Sequence, residues 1–426
     1  MKNQAASGWN GLLFGDILRE ANNSYSEQKI KGDSQMERII FFTGKGGVGK
    51  SSVAAAHARK SALQGKKTLL ISTDMAHNLG DIFEKKIGRN EVEVAENLYA
   101  IELDPEYILE NDFADLQVAI KNMFASKGLG NLQNSKQMMM PGMEELFSLL
   151  KILDFYEKGE YDRIIVDCAP TGETLSLLKF PELLSWYMEK FFPLGKVAMR
   201  VLAPVSKQLW KIELPDKHAM TDIEKLYLRL NELQELLKDN RITSIRIVTL
   251  PEKMVVEETK RNYMYMNLFG YLVDGVYINR VLPADVDNAF FTEWMDIQKK
   301  YIEELEDNFA DVPVIRIPWY ESEVCGMDAI DRICSGILTG DELFDVNSKR
   351  TNEKFEKNDD GYLLSIFLPF VSKEKLDMHQ ADADIIIRIG NFKRNIPIPT
   401  TLRNYQITSA KLKDAELKIQ FSEKEG

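Results

Sequence analysis

Short apolar runs recur through the first three quarters of the chain, and helical periodicity fills the intervals between them. Each run is rich in Ile, Val, Leu or Phe, which is typical of a strand buried on both faces. The predicted strands are Arg38–Thr43, Lys67–Thr73, Asn97–Glu102, Tyr161–Asp167, Ser244–Thr249, Val273–Asn279 and Val314–Ile317. Because strands and helices alternate, the pattern predicts an α/β fold with a mostly parallel sheet flanked by helices.

Two stretches between the strands are too long for simple crossovers and are predicted as helical insertions, at about residues 105–158 and 175–239. Both hold more apolar residues than a single core-facing stripe needs. Large side chains carry the excess: Met138, Met139, Met140, Met143, Trp186, Met188, Phe191, Phe192 and Met199. Either they fill an ordinary helical core or, since methionine adapts to varied partners, they line a hydrophobic client surface.

The pattern changes after about residue 345. Residues 346–360 are polar and charged and are predicted to form a linker. Strand patterns without helices follow, so residues 361–426 are predicted as a small all-β domain. Its last hairpin, within Ser409–Phe421, resembles the final hairpin of an α-crystallin-like sandwich.

The most specific motif is Gly44-Lys45-Gly46-Gly47-Val48-Gly49-Lys50-Ser51, which matches the G-x-x-x-x-G-K-[ST] phosphate loop at every fixed position. A predicted strand precedes it, and Ser52 opens a predicted helix. The glycines allow backbone N–H groups to surround phosphate oxygens, and the helix N-terminus adds its positive dipole. Lys50 can reach the β- and γ-phosphates, and the Ser51 hydroxyl can ligate Mg²⁺. Residues 36–345 are therefore predicted as a P-loop ATPase domain, preceded by a weakly ordered arm at residues 1–35.

Three polar residues, Asp74, Asp167 and Asn279, fall at the ends of predicted strands. Ligands of open parallel sheets bind outside the carboxyl ends of the strands, so one pocket can collect these side chains and the phosphate loop. Asp167 closes an apolar strand, which is the usual place of the acid that holds Mg²⁺ directly or through water. The turn at residues 170–172 follows it and is expected near the γ-phosphate. The cluster therefore predicts a site for ATP and Mg²⁺.

Composition and charge exclude several classes of protein. A net charge of −12 argues against a nucleic-acid binder. The sequence has no apolar run of membrane-spanning length and does not begin with the pattern of a secretion signal. Its three cysteines, Cys168, Cys325 and Cys334, are too scattered for a disulfide framework. We therefore expect a cytoplasmic protein that contacts a membrane only indirectly, through a receptor or a pump.

Several motifs together resemble the arsenite-pump and tail-anchored-protein-targeting ATPase family. The second loop lysine, Lys45, matches the "deviant" phosphate loops of dimeric nucleotide switches. Asp74–Asp81 and Asp167–Thr174 resemble the family patterns D-P-A-H-N/S-L-S-D and D-x-A-P-T-G-H-T-L. Pro141–Glu145 and Pro318–Gly326 resemble its P-G-x-x-E segment and its late adenosine loop. The resemblance spans roughly residues 36–340, with the motifs in the family's order.

The resemblance implies roles for individual residues. In the family, the equivalent of Lys45 reaches across a homodimer interface to the partner's nucleotide, and the equivalent of Asp74 orients the attacking water. With Lys50 these residues form the expected catalytic set. The expected nucleotide contacts are the loop residues Gly44 to Ser52, the adenine-binding Asn279, and Pro318, Trp319 and Glu321. The expected switch residues are Asp74, His77, Asp81, Pro170, Thr171 and Gly172; Ser51 and Asp167 would hold Mg²⁺, Asp167 through water.

The sequence also departs from the family pattern. Met75 replaces a proline in the first switch, Glu173 replaces a histidine after the second, and Cys325 replaces an arginine. No C-x-x-C motif occurs, so no zinc clasp is expected. Nor do the cysteines fall where the resemblance would place arsenite-binding thiols.

The expected function is that of an ATP-hydrolysing homodimeric switch that shields hydrophobic or tail-anchored client segments. One alternative is the soluble motor of an arsenite efflux pump, against which the cysteine count argues. A second is a partitioning-type ATPase, which would need a basic patch or a terminal amphipathic helix. A third is a nucleotide-dependent regulatory module with little turnover, which the departures at Met75 and Glu173 leave open.

Overall fold

A computed structural model describes residues 38–74, 79–111, 143–169, 217–286, 288–346, 353–381, 384–398, 402 and 404–424. Its largest sheet has eight strands in the order β3-β4-β2-β5-β1-β6-β7-β8. These are β1 (Arg38–Thr43), β2 (Thr68–Ser72), β3 (Val92–Ala95), β4 (Leu98–Glu102), β5 (Arg163–Asp167), β6 (Thr243–Thr249), β7 (Val273–Val281) and β8 (Val314–Pro318). The strands pair in parallel except β3 with β4. The predicted α/β class with a mostly parallel sheet is confirmed.

The helices of this part of the chain flank the sheet. They are α1 (Lys50–Leu63), α2 (Leu79–Phe83), α3 (Pro105–Asn111), α4 (Met143–Lys158), α5 (Lys217–Lys238), α6 (Lys253–Leu268), α7 (Ala289–Asn308) and α8 (Met327–Gly336). Helices α3, α4 and α5 lie within the two stretches predicted as helical insertions. In the residues described, no helix combines the length and the apolar character needed to cross a membrane.

Helix α1 packs closely on its neighbours because most of its buried residues are small. Ala54, Ala55 and Ala56 are fully buried, together with Phe42 of the central strand β1. Every residue of β1 is buried, as expected for a strand covered by helices on both sides. The phosphate loop joins β1 to α1 and is therefore anchored on both sides in the core.

The C-terminal residues form two antiparallel sheets, in the orders β14-β15-β10-β9 and β11-β12-β13. Their strands are β9 (Glu353–Asn358), β10 (Gly361–Phe367), β11 (Leu376–Ala381), β12 (Asp384–Ile389), β13 (Phe392–Pro397), β14 (Tyr405–Lys413) and β15 (Glu416–Glu423). This confirms the predicted all-β character of the C-terminal region.

The polar segment predicted as a linker contains strand β9, so the linker prediction is wrong for residues 353–358. Strand β9 lies at the edge of its sheet, and edge strands carry charges that discourage pairing with other chains. In the sequence, its Glu and Lys residues have the pattern of a solvent-exposed loop, so no strand was predicted there. The apolar signal is a single ring, Phe355, which stacks on Tyr362 of β10 at 5.4 Å.

The C-terminal sheets dock on helix α6 through aromatic rings and one buried arginine. Tyr263 of α6 lies 6.2 Å from Phe370, measured between ring centroids, and Tyr265 lies 4.7 Å from Phe392. The Arg394 guanidinium donates to the carbonyl oxygen of Leu268, at the end of α6, at 2.6 Å. Helix α6 is thus shared between the parallel sheet and the C-terminal sheets.

A buried ionic network crosses the large sheet near the amino ends of β1 and β7. Asp274 accepts from Arg38 at 2.9 Å and from Arg246 at 3.2 Å, and all three side chains are almost completely buried. The same two guanidiniums also donate to the carbonyl oxygens of Phe344 and Leu343, in the 3-10 turn Asp341–Phe344. Two positive charges therefore share one carboxylate and the carbonyl end of this turn.

The network reaches the phosphate-loop helix through a buried histidine. Arg246 donates to the Tyr277 hydroxyl at 3.1 Å, and that hydroxyl lies 2.8 Å from His57 Nε2. His57 Nδ1 lies 2.7 Å from the Val53 carbonyl oxygen, so Nδ1 carries the proton and Nε2 accepts. Burial, with a smaller contribution from the Arg246 charge, holds the pKa of His57 well below its ordinary value of 6.5.

This depressed pKa gives an expected pH dependence of stability. The unfolded chain takes up a proton at His57 as the pH falls below about 6.5, whereas the folded chain does not. Stability should therefore fall with pH below 6.5, by up to about 1.4 kcal/mol per pH unit from this residue. Substitution of His57 by Gln should remove that slope from the free energy of unfolding measured by urea denaturation between pH 5 and pH 7.

The matched control is His379, whose side chain is half exposed on β11. The change from His379 to Gln shows whether the loss of an exposed histidine alters the slope by itself. Because other titrating groups contribute equally to every variant, the difference between the curves isolates the histidine. Parallel curves for the parent and the His57 variant would contradict the expectation.

Candidate active site

Two glycines of the phosphate loop, Gly44 and Gly49, lie so close to neighbouring strands that a side chain there would clash. A Cβ at Gly44 would lie 2.1 Å from the Val248 carbonyl oxygen, and one at Gly49 would lie 2.3 Å from Asn279 Nδ2. Gly49 also has φ 90°, a left-handed conformation that favours glycine. The loop is therefore pressed against the ends of β6 and β7, with its backbone free of side chains that would fill the phosphate cradle.

Two further strand ends meet beside the loop and place the acidic residues. In the strand register, Asp167 of β5 pairs with Phe42 of β1 and with Ser72 of β2, and Ser72 pairs with Glu102 of β4. These residues form one row across the carboxyl end of the sheet. Asp74 follows two residues after Ser72, and its backbone N–H donates to the Ser72 hydroxyl at 3.2 Å. The predicted convergence of Asp74 and Asp167 beside the phosphate loop is therefore seen in the geometry.

Asp167 is fully buried, and neither of its carboxylate oxygens makes a hydrogen bond of normal geometry to the residues described, although the Ser51 hydroxyl is close enough to act on it. Burial raises its pKa to about 7; the Lys50 charge and the Ser51 hydroxyl work against that shift, and the Asp74 charge adds to it. Lys50 is itself only 5% exposed. An unpartnered carboxylate next to a hydroxyl is the oxygen donor set that Mg²⁺ takes in nucleotide sites. The residues present thus fit a magnesium ion, which Ser51 and Asp167 would hold.

Lys45 leaves the loop on its exposed side. Its side chain is 39% exposed, and its ammonium lies 3.8 Å from a carboxylate oxygen of Glu258 on α6. A long, solvent-exposed ion pair of this kind contributes little to stability, so Lys45 is held only weakly. In the free chain the second loop lysine thus contacts its own subunit.

Asn279 lies within β7, which continues to Val281, and both its polar groups contact the backbone. Its Nδ2 donates to the Val48 carbonyl oxygen at 2.8 Å, and its Oδ1 accepts from the Arg280 N–H at 2.9 Å. Asn279 therefore clasps the phosphate loop to β7. Because an amide group has further donor and acceptor capacity, the adenine contact stays a prediction.

The predicted adenosine loop begins where β8 ends. Pro318 is the last residue of β8, and the Trp319 N–H donates to the Val281 carbonyl oxygen at 2.8 Å. The Trp319 ring is 50% exposed, and Glu321 is exposed beyond it. The loop therefore lies at the carboxyl ends of β7 and β8, next to Asn279.

Two family models match the chain. One, described as "Anion-transporting ATPase", covers residues 37–339, and one described as "HSP20-like domain found in ArsA" covers residues 359–421. The chain belongs to the ArsA ATPase family. It is an ATPase, and its C-terminal sheets are the HSP20-like domain of that family.

Individual relatives carry two kinds of name. "Putative arsenical pump-driving ATPase 1" of Aquifex aeolicus (strain VF5) is 36% identical over 396 residues, which cover 90% of this chain and 100% of that protein. "ATPase GET3" of Podospora anserina is 30% identical over 315 residues, covering 70% of this chain and 90% of that protein. "ATPase ASNA1 homolog 1" of Paramecium tetraurelia is 31% identical over 313 residues, covering 72% and 94%. The names thus leave two roles within the ArsA family.

Several predicted residues of this ArsA-family ATPase lie outside the described residues. They are His77 and the turn Pro170, Thr171 and Gly172 among the switch residues, and Met138, Met139, Met140, Trp186, Met188, Phe191, Phe192 and Met199 of the client surface. Met143 begins helix α4, and Asp81 is exposed on α2. Their predicted roles stay predictions.

Sequence reasoning missed two acidic residues that contact the site of this ArsA-family ATPase. Glu258 pairs with Lys45, and Glu102 accepts hydrogen bonds from the backbone of α2. Glu102 was detectable only as one more polar residue closing an apolar strand, in the manner of Asp167. In the described parts of the chain, no group of three or more His, Cys, Asp or Glu side chains is placed to hold a metal ion.

Proposed function

We propose that this chain is a Mg²⁺-dependent, ATP-driven homodimeric switch that binds hydrophobic client segments of other polypeptides. The observation that carries the nucleotide part is the buried, unpartnered Asp167 carboxylate beside Lys50 and Ser51. Burying such a group without a partner is costly, and the cost is relieved when a cation and its water occupy the site.

The proposed chemistry divides among few residues. Loop N–H groups and Lys50 bind the phosphates, and Asp74 accepts a hydrogen bond from the attacking water and aligns it with the γ-phosphate. Mg²⁺, held by Ser51 and through water by Asp167, would supply neutralisation of charge on the phosphate oxygens. Asn279 keeps the loop against β7, so that the cradle is formed before nucleotide binds.

The dimer part rests on Lys45. Its weak, partly exposed contact with Glu258 can be given up when a second subunit presents its nucleotide. A salt bridge to a triphosphate in a closed interface would be stronger than the exposed pair, because water is excluded from it. ATP would thus favour the closed dimer, and hydrolysis would release it.

The client part is favoured over the arsenite-pump role by the three cysteines. Arsenite is a soft ligand acceptor that binds thiolates. Here Cys168 and Cys334 are buried, and Cys334 donates to the Ala56 carbonyl oxygen at 3.1 Å. Burial raises the pKa of Cys334 to about 12, which keeps it a thiol. Only Cys325 is exposed, which is too few for a thiolate cage.

The experiment is photo-crosslinking from Met139, Met188 and Met199 to a hydrophobic transmembrane peptide, in the presence of ATP with Mg²⁺ or of ADP. We expect crosslinks whose yield differs between the two nucleotides, because the switch alters the client surface. Glu303, exposed on α7, is the matched position that should give none.

A second measurement, the rate of ATP hydrolysis with and without arsenite, tests the arsenite-pump role. If arsenite accelerates ATP hydrolysis several-fold and the crosslinks are absent in both nucleotide states, the client role is wrong and the pump role replaces it. If neither effect is found and ATP is bound but hardly hydrolysed, the regulatory alternative replaces both.

A further inference from the structure

Glu102 is an acidic residue of the sheet for which the catalytic chemistry above has no use. It is the last residue of β4 and only 5% exposed. One carboxylate oxygen accepts from the backbone N–H of Leu79 at 3.0 Å and from that of Gly80 at 3.2 Å. A carboxylate that accepts two N–H groups makes charge-assisted bonds, which are stronger than bonds between neutral groups.

The strand register explains why Glu102 is in reach of this segment. Glu102 pairs with Ser72, and the Ser72 hydroxyl accepts from the N–H of Asp74. Paired residues of adjacent strands lie about 5 Å apart with their side chains on one face. The backbone N–H of Asp74 is therefore bound by Ser72, and that of Leu79 by the paired residue of the neighbouring strand, Glu102.

The far end of α2 is also held. The Ile82 carbonyl oxygen accepts from the N–H of Gly326 at 2.8 Å, in the loop that follows β8. Gly326 has φ 77°, and a Cβ there would lie 3.0 Å from the Glu84 carboxylate. The short helix is thus fixed at its start by Glu102 and at its end by the loop that also carries Trp319.

We propose that Glu102 is a positioning residue for ATP hydrolysis: by binding the Leu79 and Gly80 N–H groups it fixes the far end of the segment that begins at Asp74. The inference rests on the proposed role of Asp74 in aligning water. Leu79 follows Asp74 by only five positions in the sequence, and we expect the loss of its bond to Glu102 to displace the Asp74 carboxylate. A displacement of about 1 Å at such a group can lower the rate about 100-fold.

The test compares three variants of Glu102 in steady-state ATP hydrolysis and in equilibrium binding of a non-hydrolysable ATP analogue with Mg²⁺. Glu102→Ala should lower kcat at least about 10-fold while the Kd of the analogue changes less than about 3-fold. Glu102→Gln keeps an acceptor oxygen at the same reach and should recover kcat to within about 3-fold of the parent. Glu102→Asp keeps the charge but is one methylene short, so it should behave like Glu102→Ala.

Asp104 is the matched control, since it lies two residues further along and lines the same cleft. It accepts from Arg89 and from the Tyr107 N–H, and no bond to it from the N–H groups of Asp74, Leu79 or Gly80, the described residues of the segment, is seen. Asp104→Ala should hydrolyse ATP at the parent rate. A parent-like kcat for Glu102→Ala, or an equal loss in Glu102→Gln and Glu102→Ala, would overturn the inference. If Glu102→Ala does not fold, the kcat values of Glu102→Asp and Glu102→Gln are compared instead, and equal losses in these two variants would overturn the inference.

Asp74→Asn, measured alongside, separates this inference from the proposed function. If Asp74→Asn is inactive and Glu102→Ala is not impaired, only the positioning role fails. If Asp74→Asn hydrolyses ATP at the parent rate, the water-aligning role itself is wrong and the inference falls with it. The double variant Asp74→Asn/Glu102→Ala should be no slower than Asp74→Asn alone, because the two residues act through one group.

Discussion

Replacement of Asp74 by Asn is expected to lower the rate of ATP hydrolysis about 100-fold or more while ATP binding stays close to that of the parent protein. The amide keeps the shape of the side chain but loses the negative charge that aligns the water, a contribution of about 3 kcal/mol or more to the transition state. The substitution leaves the phosphate cradle unchanged because Asp74 follows strand β2 and is not part of the phosphate loop. Single-turnover hydrolysis and analogue binding measure the two effects separately.

Lys50→Ala is the contrasting variant. It removes a buried ammonium from the cradle itself, so binding of the nucleotide should be lost together with hydrolysis. Equal losses of binding in both variants would show that Asp74 holds the nucleotide rather than the water. An Asp74→Asn protein that turns over ATP at the parent rate would remove Asp74 from the mechanism.

Replacement of Asp274 by Ala is expected to destabilise the fold by about 3–5 kcal/mol, measured as the free energy of unfolding in urea. The substitution leaves Arg38 and Arg246 buried with no carboxylate between them. The hydrogen-bond partners that remain, such as the carbonyl oxygens of Phe344 and Leu343, are neutral, and the only other carboxylate charge that acts on Arg38 among the residues described is that of Asp345. A charge without its counter-ion in the interior is among the costliest changes that a single substitution can make.

Asp331 offers the matched control for this effect. It also pairs with an arginine, Arg59, at 2.8 Å, but its side chain is exposed. Asp331→Ala should cost about 1 kcal/mol or less, since exposed pairs are screened by water. Similar losses for the two variants would mean that the Asp274 network is no more important than a surface ion pair.

Much of the fold follows from the sequence because the buried strands are continuous apolar runs. The run Ile39-Ile40-Phe41-Phe42 can be little else than a strand covered on both faces, and the phosphate loop after it fixes which end of the sheet binds nucleotide. The charged strand β9 could not be predicted in this way. Edge strands need no apolar face on their solvent side, so the pattern that reveals β1 is missing from β9.

The site was predictable where a motif prescribes spacing and unpredictable where residues meet across the fold. Lys50 and Ser51 follow from the loop itself, and Asp167 from the strand that it closes. Glu102, by contrast, acts on Leu79 from a neighbouring strand, 23 positions along the chain. Arg38 and Asp274 lie 236 positions apart, and neither residue's sequence context indicates that it forms an ion pair. Register and topology bring such pairs together, and a single sequence does not state the register.

The docking of the C-terminal sheets on α6 means that a boundary between sequence families need not be a boundary of folding. One family model ends at residue 339 and the other starts at residue 359, as if the chain could be divided between them. Yet Tyr263, Tyr265 and Phe309 are buried, with Phe392 and Phe370 of the C-terminal part against them. Removal of the C-terminal sheets would expose these three aromatic rings to solvent. The ATPase part and the C-terminal sheets are therefore expected to depend on each other to keep these rings from water.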